Sequence, residues 1–241
     1  MMTATGTSQT NGRLWGARAR DWAEVQEGQC AAAFHAVLAH AGVGPGTRHL
    51  DVGCGAGMAA ALSASRGASV CGLDAAGALL EIARERTPAG DFRQGDIEAL
   101  PFDDDAFDLV TGFNAFQYAG DPARALREAG RVTRPGGMIV IMTWGEPGGM
   151  EAASLVAALK PLLPAPPPGA PGPFALSDEA ALRGFAAAGG LTPRAGQCCL
   201  RTCRYSWWWS ARCRTSRTCR HRQCRPRSRT SGRWHPPERP G

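Results

Sequence analysis

The sequence predicts an α/β fold: a three-layer, Rossmann-like parallel sheet with helices on both faces. Short apolar runs alternate with helix-length segments through residues 49–144, which is the pattern of parallel strands joined by crossover helices. The run Met138–Trp144 (MIVIMTW) is apolar along its whole length, as a strand covered on both faces has to be. A glycine-rich turn, Gly53-Cys54-Gly55-Ala56-Gly57, follows the first run, at the strand end where such sheets hold ligands.

An amphipathic helix is expected from about Arg18 to His40, with Val25, Phe34, Val37 and Leu38 on its apolar face and Gly42, Gly44, Pro45 and Gly46 ending it. His49–Val52 is the first strand, and a helix over Met58–Arg66 stops at Gly67. Ser69–Leu73 is the second strand, closed by Asp74, and Ala76–Arg86 is the next helix. Asp91–Gln94 and Phe107–Phe113 are the third and fourth strands. Asp121 caps a helix with Pro122 at its first position, running to about Thr133. Arg134-Pro135-Gly136-Gly137 is then a turn into the fifth strand. A short helix around Glu151–Lys160 leads to a proline-rich loop at about 161–173, which is either a linker or a lid over a substrate cleft. Ser177 is expected to cap a last helix, ending at Gly189-Gly190.

Composition divides the chain in two. Residues 1–196 hold 15 Lys and Arg against 20 Asp and Glu, whereas residues 197–241 hold 12 Arg against one acid, Glu238. Six of the nine cysteines also fall in the last 45 residues. We therefore expect a domain over 1–196 and an Arg/Cys/Trp-rich tail over 197–241. The tail has no apolar periodicity and almost no Ile, Val, Leu or Met, so the C-terminal edge strands of the sheet are expected to be missing or disrupted. Three readings of the tail compete. Its arginines and Trp207-Trp208-Trp209 suit nucleic acid; its Cys and His residues suit zinc, although paired C-x-x-C spacing is absent; and its composition suits a disordered or frameshift-derived segment, the reading favoured here. The first dozen residues have neither the basic start nor the apolar stretch of a secretion signal, and no apolar run is long enough to span a membrane. A cytoplasmic location is the resulting expectation.

The sharpest chemistry is Asp51-x-Gly53-x-Gly55-x-Gly57. Glycines directly after a strand let the backbone turn tightly and approach a ligand without side-chain clash. A dinucleotide loop would read G-x-G-x-x-G, but the position three after Gly55 is Met58. The spacing G-x-G-x-G, led by an acid, favours S-adenosylmethionine instead. Asp74, ending the second strand, can accept two hydrogen bonds from ribose hydroxyls. Asp96, ending the third, can accept from an exocyclic adenine amine while Ile97 packs on the ring, although a turn aspartate and a core isoleucine would look the same. Asp103-Asp104-Asp105 lacks the alternating ligands and glycine of a calcium loop, so no metal is expected. His35, His40 and His49 fall in elements where a structural role is expected, which leaves no general base identified.

Together Leu50–Gly57, Gly72-Leu73-Asp74, Gly95–Phe102, Phe107–Val110 and Arg134–Gly137 resemble a class I S-adenosylmethionine-dependent methyltransferase. Within it they resemble the small-molecule, ubiquinone-biosynthesis-like (type 11) group. Trp15-Gly16 and Asp21-Trp22-Ala23 resemble that family's N-terminal helix that covers the cofactor. The resemblance implies S-adenosyl-L-methionine as cofactor and methyl transfer to a small-molecule acceptor, with no membrane partner and no nucleic acid contact outside the tail. It implies a cofactor site made of Asp51, Gly53, Cys54, Gly55 and Gly57 at the methionine portion, and Asp74 with Ala75 at the ribose. Asp96 and Ile97 would meet the adenine, and Asn114 would lie near the transferring methyl. An inactive cofactor-binding relative, or an NAD(P)-dependent oxidoreductase, is the alternative.

Overall fold

The computed structural model describes residues 7–145, 158–162, 172–198 and 206–212. Its strands are Arg48–Val52 (β1), Ser69–Asp74 (β2), Asp91–Gln94 (β3), Phe107–Phe113 (β4), Thr133–Trp144 (β5), Thr192–Cys198 (β6) and Ser206–Arg212 (β7). They form one sheet in the order β3-β2-β1-β4-β5-β7-β6, and β1 to β5 pair parallel, as expected. The order reverses at β1, so β2 and β4 leave a crevice between their carboxyl ends.

The helices are Ser8–Gly16 (α1), the single turn Ala19–Asp21 (α2), Ala31–His40 (α3), Met58–Ala64 (α4), Gly77–Arg86 (α5), Pro122–Val132 (α6) and Glu179–Ala188 (α7). Alternation along the strands sorts them into two layers. Leu50, Val52, Val110, Ile139 and Ile141 pack with Leu126 of α6 and Leu182 and Phe185 of α7. Leu109, Phe113, Val140 and Met142 point the other way, onto Phe34, Val37 and Leu38 of α3 and Ala59 of α4. That is the three-layer arrangement, with both faces of the central strands dry. Among the described residues no helix is long and apolar enough to cross a membrane.

Four expectations need correction. The helix expected over Arg18–His40 is broken into α2, a π turn at Trp22–Gln26, a 3-10 turn at Glu27–Cys30 and α3. The break rotates Val25 out of its expected apolar face, leaving it 78% exposed. The Arg134–Gly137 segment lies inside β5, where the pairing jumps from Phe107↔Thr133 to Leu109↔Met138. Gly136 takes φ +79° there, so the glycine serves a bulge instead of a separate turn. Asp178, not Ser177, caps α7, its carboxylate accepting from Ala181 N at 2.8 Å.

The fourth correction concerns the edge strands. β7 runs antiparallel to β5 from Met138↔Arg212 to Trp144↔Ser206, and β6 runs antiparallel to β7. Missing or disrupted edge strands are expected because the tail lacks aliphatic residues; β6 does break register between Arg194 and Gln197, yet the strands are present, since their pairing is made by backbone groups. β5 presents a full row of these, and Trp207-Trp208-Trp209 are of a residue type enriched in strands. β6 also crosses the boundary expected at 196/197. Residues 213–241, most of the proline-rich loop, and the first part of the helix expected at Glu151–Lys160 lie outside the described residues.

Candidate functional site

At the end of β1 the chain cannot continue straight. Gly53 N and Cys54 N both donate to Leu73 O of the neighbouring strand, at 2.7 and 3.1 Å, and this folds the loop across the end of β2. Gly53, Gly55 and Gly57 take φ of +70°, +54° and +80°, values that side chains resist. Space is also lacking, since a Cβ at Gly53 would stand 2.5 Å from the Ala115 Cβ. Gly53→Ala is therefore expected to cost about 1–3 kcal/mol, read as a lower thermal midpoint together with weaker ligand binding.

Asp74 locks this loop. Its Oδ2 accepts from Gly55 N at 2.9 Å and its Oδ1 from Ala76 N at 2.8 Å. Burial pushes its carboxyl above the ordinary range, while the bonds from Ala76, Gly55 and Ala75 oppose that shift. A cavity of about 460 Å³ opens above it. Gly53, Gly55, Asp74, Ala75, Asp96, Ile97 and Asn114, all expected site residues, line it. Asp96 is both a turn residue, accepting from Glu98 N at 2.9 Å, and part of the wall.

The other three expected residues stand behind the wall. Asp51 is buried under the loop, where its Oδ1 accepts from Thr111 Oγ1 at 2.6 Å. Thr111 Oγ1 also lies 2.8 Å from His49 Nε2. With the hydroxyl proton committed to Asp51, the hydroxyl oxygen accepts, so His49 carries its proton on Nε2. Burial pushes His49 down to about 3. It pushes Asp51 up to about 7, with the Thr111 bond opposing and the charges of Glu27 and Asp74 adding to the rise. Cys54 is buried, its Sγ 2.8 Å from where a Cβ on Gly72 would stand, and burial raises its thiol well above the ordinary value. Gly57 is the N-cap of α4, pressed on Ala83. These residues shape the loop without facing the cavity.

Asn114, an expected residue, and several groups that the sequence did not single out, Glu27 among them, complete the wall. Asn114, at φ +53°, donates its N–H to Met142 O at 2.8 Å and so ties the ends of β4 and β5. Its Oδ1 is buried and has no hydrogen-bond partner among the described groups. Glu27 accepts from Met58 N at 3.1 Å and pairs with Arg86. α1 contains Trp15-Gly16, part of the N-terminal helix that the resemblance implies, although SQTNGRLWG is polar and has no apolar period of its own. It is anchored by Thr7 Oγ1 and Asn11 Nδ2, which both donate to Tyr118 O, at 2.7 and 3.0 Å. The anchor brings Trp15 edge-on to Trp22 and Tyr118, with centroids 5.0 and 5.8 Å away. Trp22 Nε1 lies 3.6 Å from where a Cβ on Gly55 would stand, so the indole covers the loop. Pro173 and Phe174, at the end of the proline-rich loop, also line the cavity.

Residues 50–141 match the family described as "Methyltransferase domain". The chain is 40% identical over 106 residues to the demethylmenaquinone methyltransferase of Renibacterium salmoninarum, covering 44% of this chain and 45% of that one. It is 41% identical over 99 residues to the malonyl-[acyl-carrier protein] O-methyltransferase of Serratia marcescens, covering 41% of this chain and 39% of that one. The chain thus spans about half the length, or less, of these curated relatives. Among solved structures, a SAM-dependent methyltransferase from Aquifex aeolicus superposes with TM-score 0.63 at 17% identity, covering 82% of this chain and 98% of that one. A methyltransferase from Haloferax volcanii, solved with a methyltransferase activator, gives 0.65 at 23% identity, covering 84% and 97%. These two likenesses are of fold.

Proposed function

We propose that this chain, whose residues 50–141 match the methyltransferase-domain family, is a class I S-adenosylmethionine-dependent methyltransferase of the type 11 group, that the cavity holds S-adenosylmethionine and that its methyl passes to a small-molecule acceptor. The observation that carries this reading is Asp74: one carboxylate that fixes the glycine loop through Gly55 N and also lines the cavity at the end of β2. The residues fit the cofactor. Gly53 and Gly55 leave bare backbone where the methionine portion would lie, and Asp74 offers acceptors to ribose hydroxyls. Asp96 and Ile97 offer an acceptor and an apolar surface to adenine. The partnerless Asn114 Oδ1 is a buried acceptor in want of a donor.

When bound, the cofactor supplies a methyl on a positively charged sulfur, ready for in-line displacement. The chain's own work is then positioning and exclusion of water. Trp22 and Trp15 close over the loop, and α1 holds them there through Thr7 and Asn11. A dinucleotide fits less well. The N-terminus of α4, where a pyrophosphate would be held, has its Met58 N–H already bonded to the Glu27 carboxylate.

Titration calorimetry with S-adenosylhomocysteine tests the reading, which fails if the folded chain binds none. Asp74→Ala removes two ribose acceptors and the tether of Gly55. It is expected to weaken binding at least about tenfold, while circular dichroism still reports a folded chain.

A further inference from the structure

The cavity has two unlike halves, divided by β1. Over the ends of β2 and β3 stand its acidic groups, Asp74 and Asp96, with Glu27 beside them at the start of α4. Over the ends of β4 and β5 the wall is aromatic: Phe113 closes β4, Trp144 closes β5, Tyr118 follows β4, and Phe34 and Phe174 complete it. Phe34 and Phe113 pack 4.6 Å apart with tilted rings. The Trp144 indole N–H bonds to the Tyr118 hydroxyl, whose titration is pushed up by burial. That bond satisfies the indole donor and leaves ring surface as what Trp144 offers a ligand.

All the charged side chains lining the cavity, among the described residues, are acids. We propose that the β4/β5 half of the cavity takes an uncharged, ring-bearing apolar acceptor and discriminates against carboxylate acceptors; this rests on the cofactor occupying the β2/β3 half. The physical reason is desolvation. A carboxylate entering this half gives up its water to aromatic surface, with no cationic side chain among the described lining residues to replace it and with carboxylates across the cavity. A neutral ring loses little and gains stacked contact with Phe113, Trp144 and Phe174. One of the curated relatives is named for a malonyl-thioester acceptor, a chemistry this wall disfavours.

The test uses the full chain saturated with S-adenosylhomocysteine and two probes of one shape, 2-naphthol and 2-naphthoate, titrated calorimetrically near pH 7. The expected result is at least about tenfold tighter binding of the naphthol, equal to about 1.4 kcal/mol. Phe174→Ala, on a loop outside the core, is expected to weaken naphthol about fivefold and leave the S-adenosylhomocysteine constant unchanged. Naphthoate binding as tightly as naphthol, or no naphthol binding to a chain that does bind S-adenosylhomocysteine, overturns the proposal. Failure to bind S-adenosylhomocysteine sinks the cofactor reading instead.

Discussion

Arg86→Met is expected to destabilise the fold by about 3 kcal/mol, more than any single substitution in the cavity wall. Glu27 is buried, at 5% exposure, and Arg86 is its counter-ion. The same guanidinium donates to Ala56 O at 2.9 Å and to Ala23 O at 3.2 Å. One side chain at the end of α5 thus joins the Trp22–Cys30 turns, the glycine loop and the start of α4. Removing it leaves a buried carboxylate with only the Met58 N–H, and breaking such a pair from one side typically costs about 3–5 kcal/mol. Glu27→Gln in the Arg86→Met background removes the orphaned charge, so it should restore part of the loss. Urea midpoints for the two single variants and the double variant give the coupling directly. A loss under about 1 kcal/mol for Arg86→Met would show that the pair does not hold these segments together.

What the sequence made legible follows from how far each signal reaches along the chain. Of the five parallel strands, β1, β2, β4 and β5 were readable as short apolar runs and β3 from the Gly95-Asp96 that closes it, and those signals are local. Asp74 and Asp96 were readable because a strand end is a position in sequence as well as in space. Glu27 and Arg86 are 59 residues apart, so no window contains both. α1 is held by side-chain bonds to Tyr118, more than 100 residues away, and buries none of its residues, so it has no periodicity to find. The aromatic half of the cavity draws Phe34, Phe113, Tyr118, Trp144 and Phe174 from five separate segments. Each of these looks alone like an ordinary core residue. β6 and β7 were missed for a different reason. Aliphatic content measures how well a strand is buried, and an edge strand needs only a neighbour with free backbone groups.

His49 and Asp51 belong to one buried unit joined by Thr111, and their opposed titrations make a second large effect. Asp51 is held up to about 7 in the folded chain, against 3.8. Between those values the folded state keeps a proton that the unfolded state has lost, so stability falls as pH rises. His49 is held down to about 3, against 6.5. Over that range the unfolded state carries the extra proton, so stability rises with pH. Each slope is about 1.4 kcal/mol per pH unit. Between about pH 4 and 6.5 the two cancel, so the native pair is expected to contribute a flat profile there. Asp51→Asn leaves His49 alone, and stability relative to the native chain should climb across this window by about 3–4 kcal/mol. His49→Gln removes the His49 contribution, so the relative stability should fall by a similar amount and level off near pH 6.5, whereas the climb for Asp51→Asn continues to about pH 7. Every other titrating group is common to the three proteins and drops out of the differences. Urea midpoints at pH 4.5, 5.5 and 6.5 read the slopes. Parallel profiles for the two variants would show that His49 and Asp51 do not keep these proton states in the fold, whereas opposite slopes would place both neutral groups beneath the glycine loop near pH 5.5.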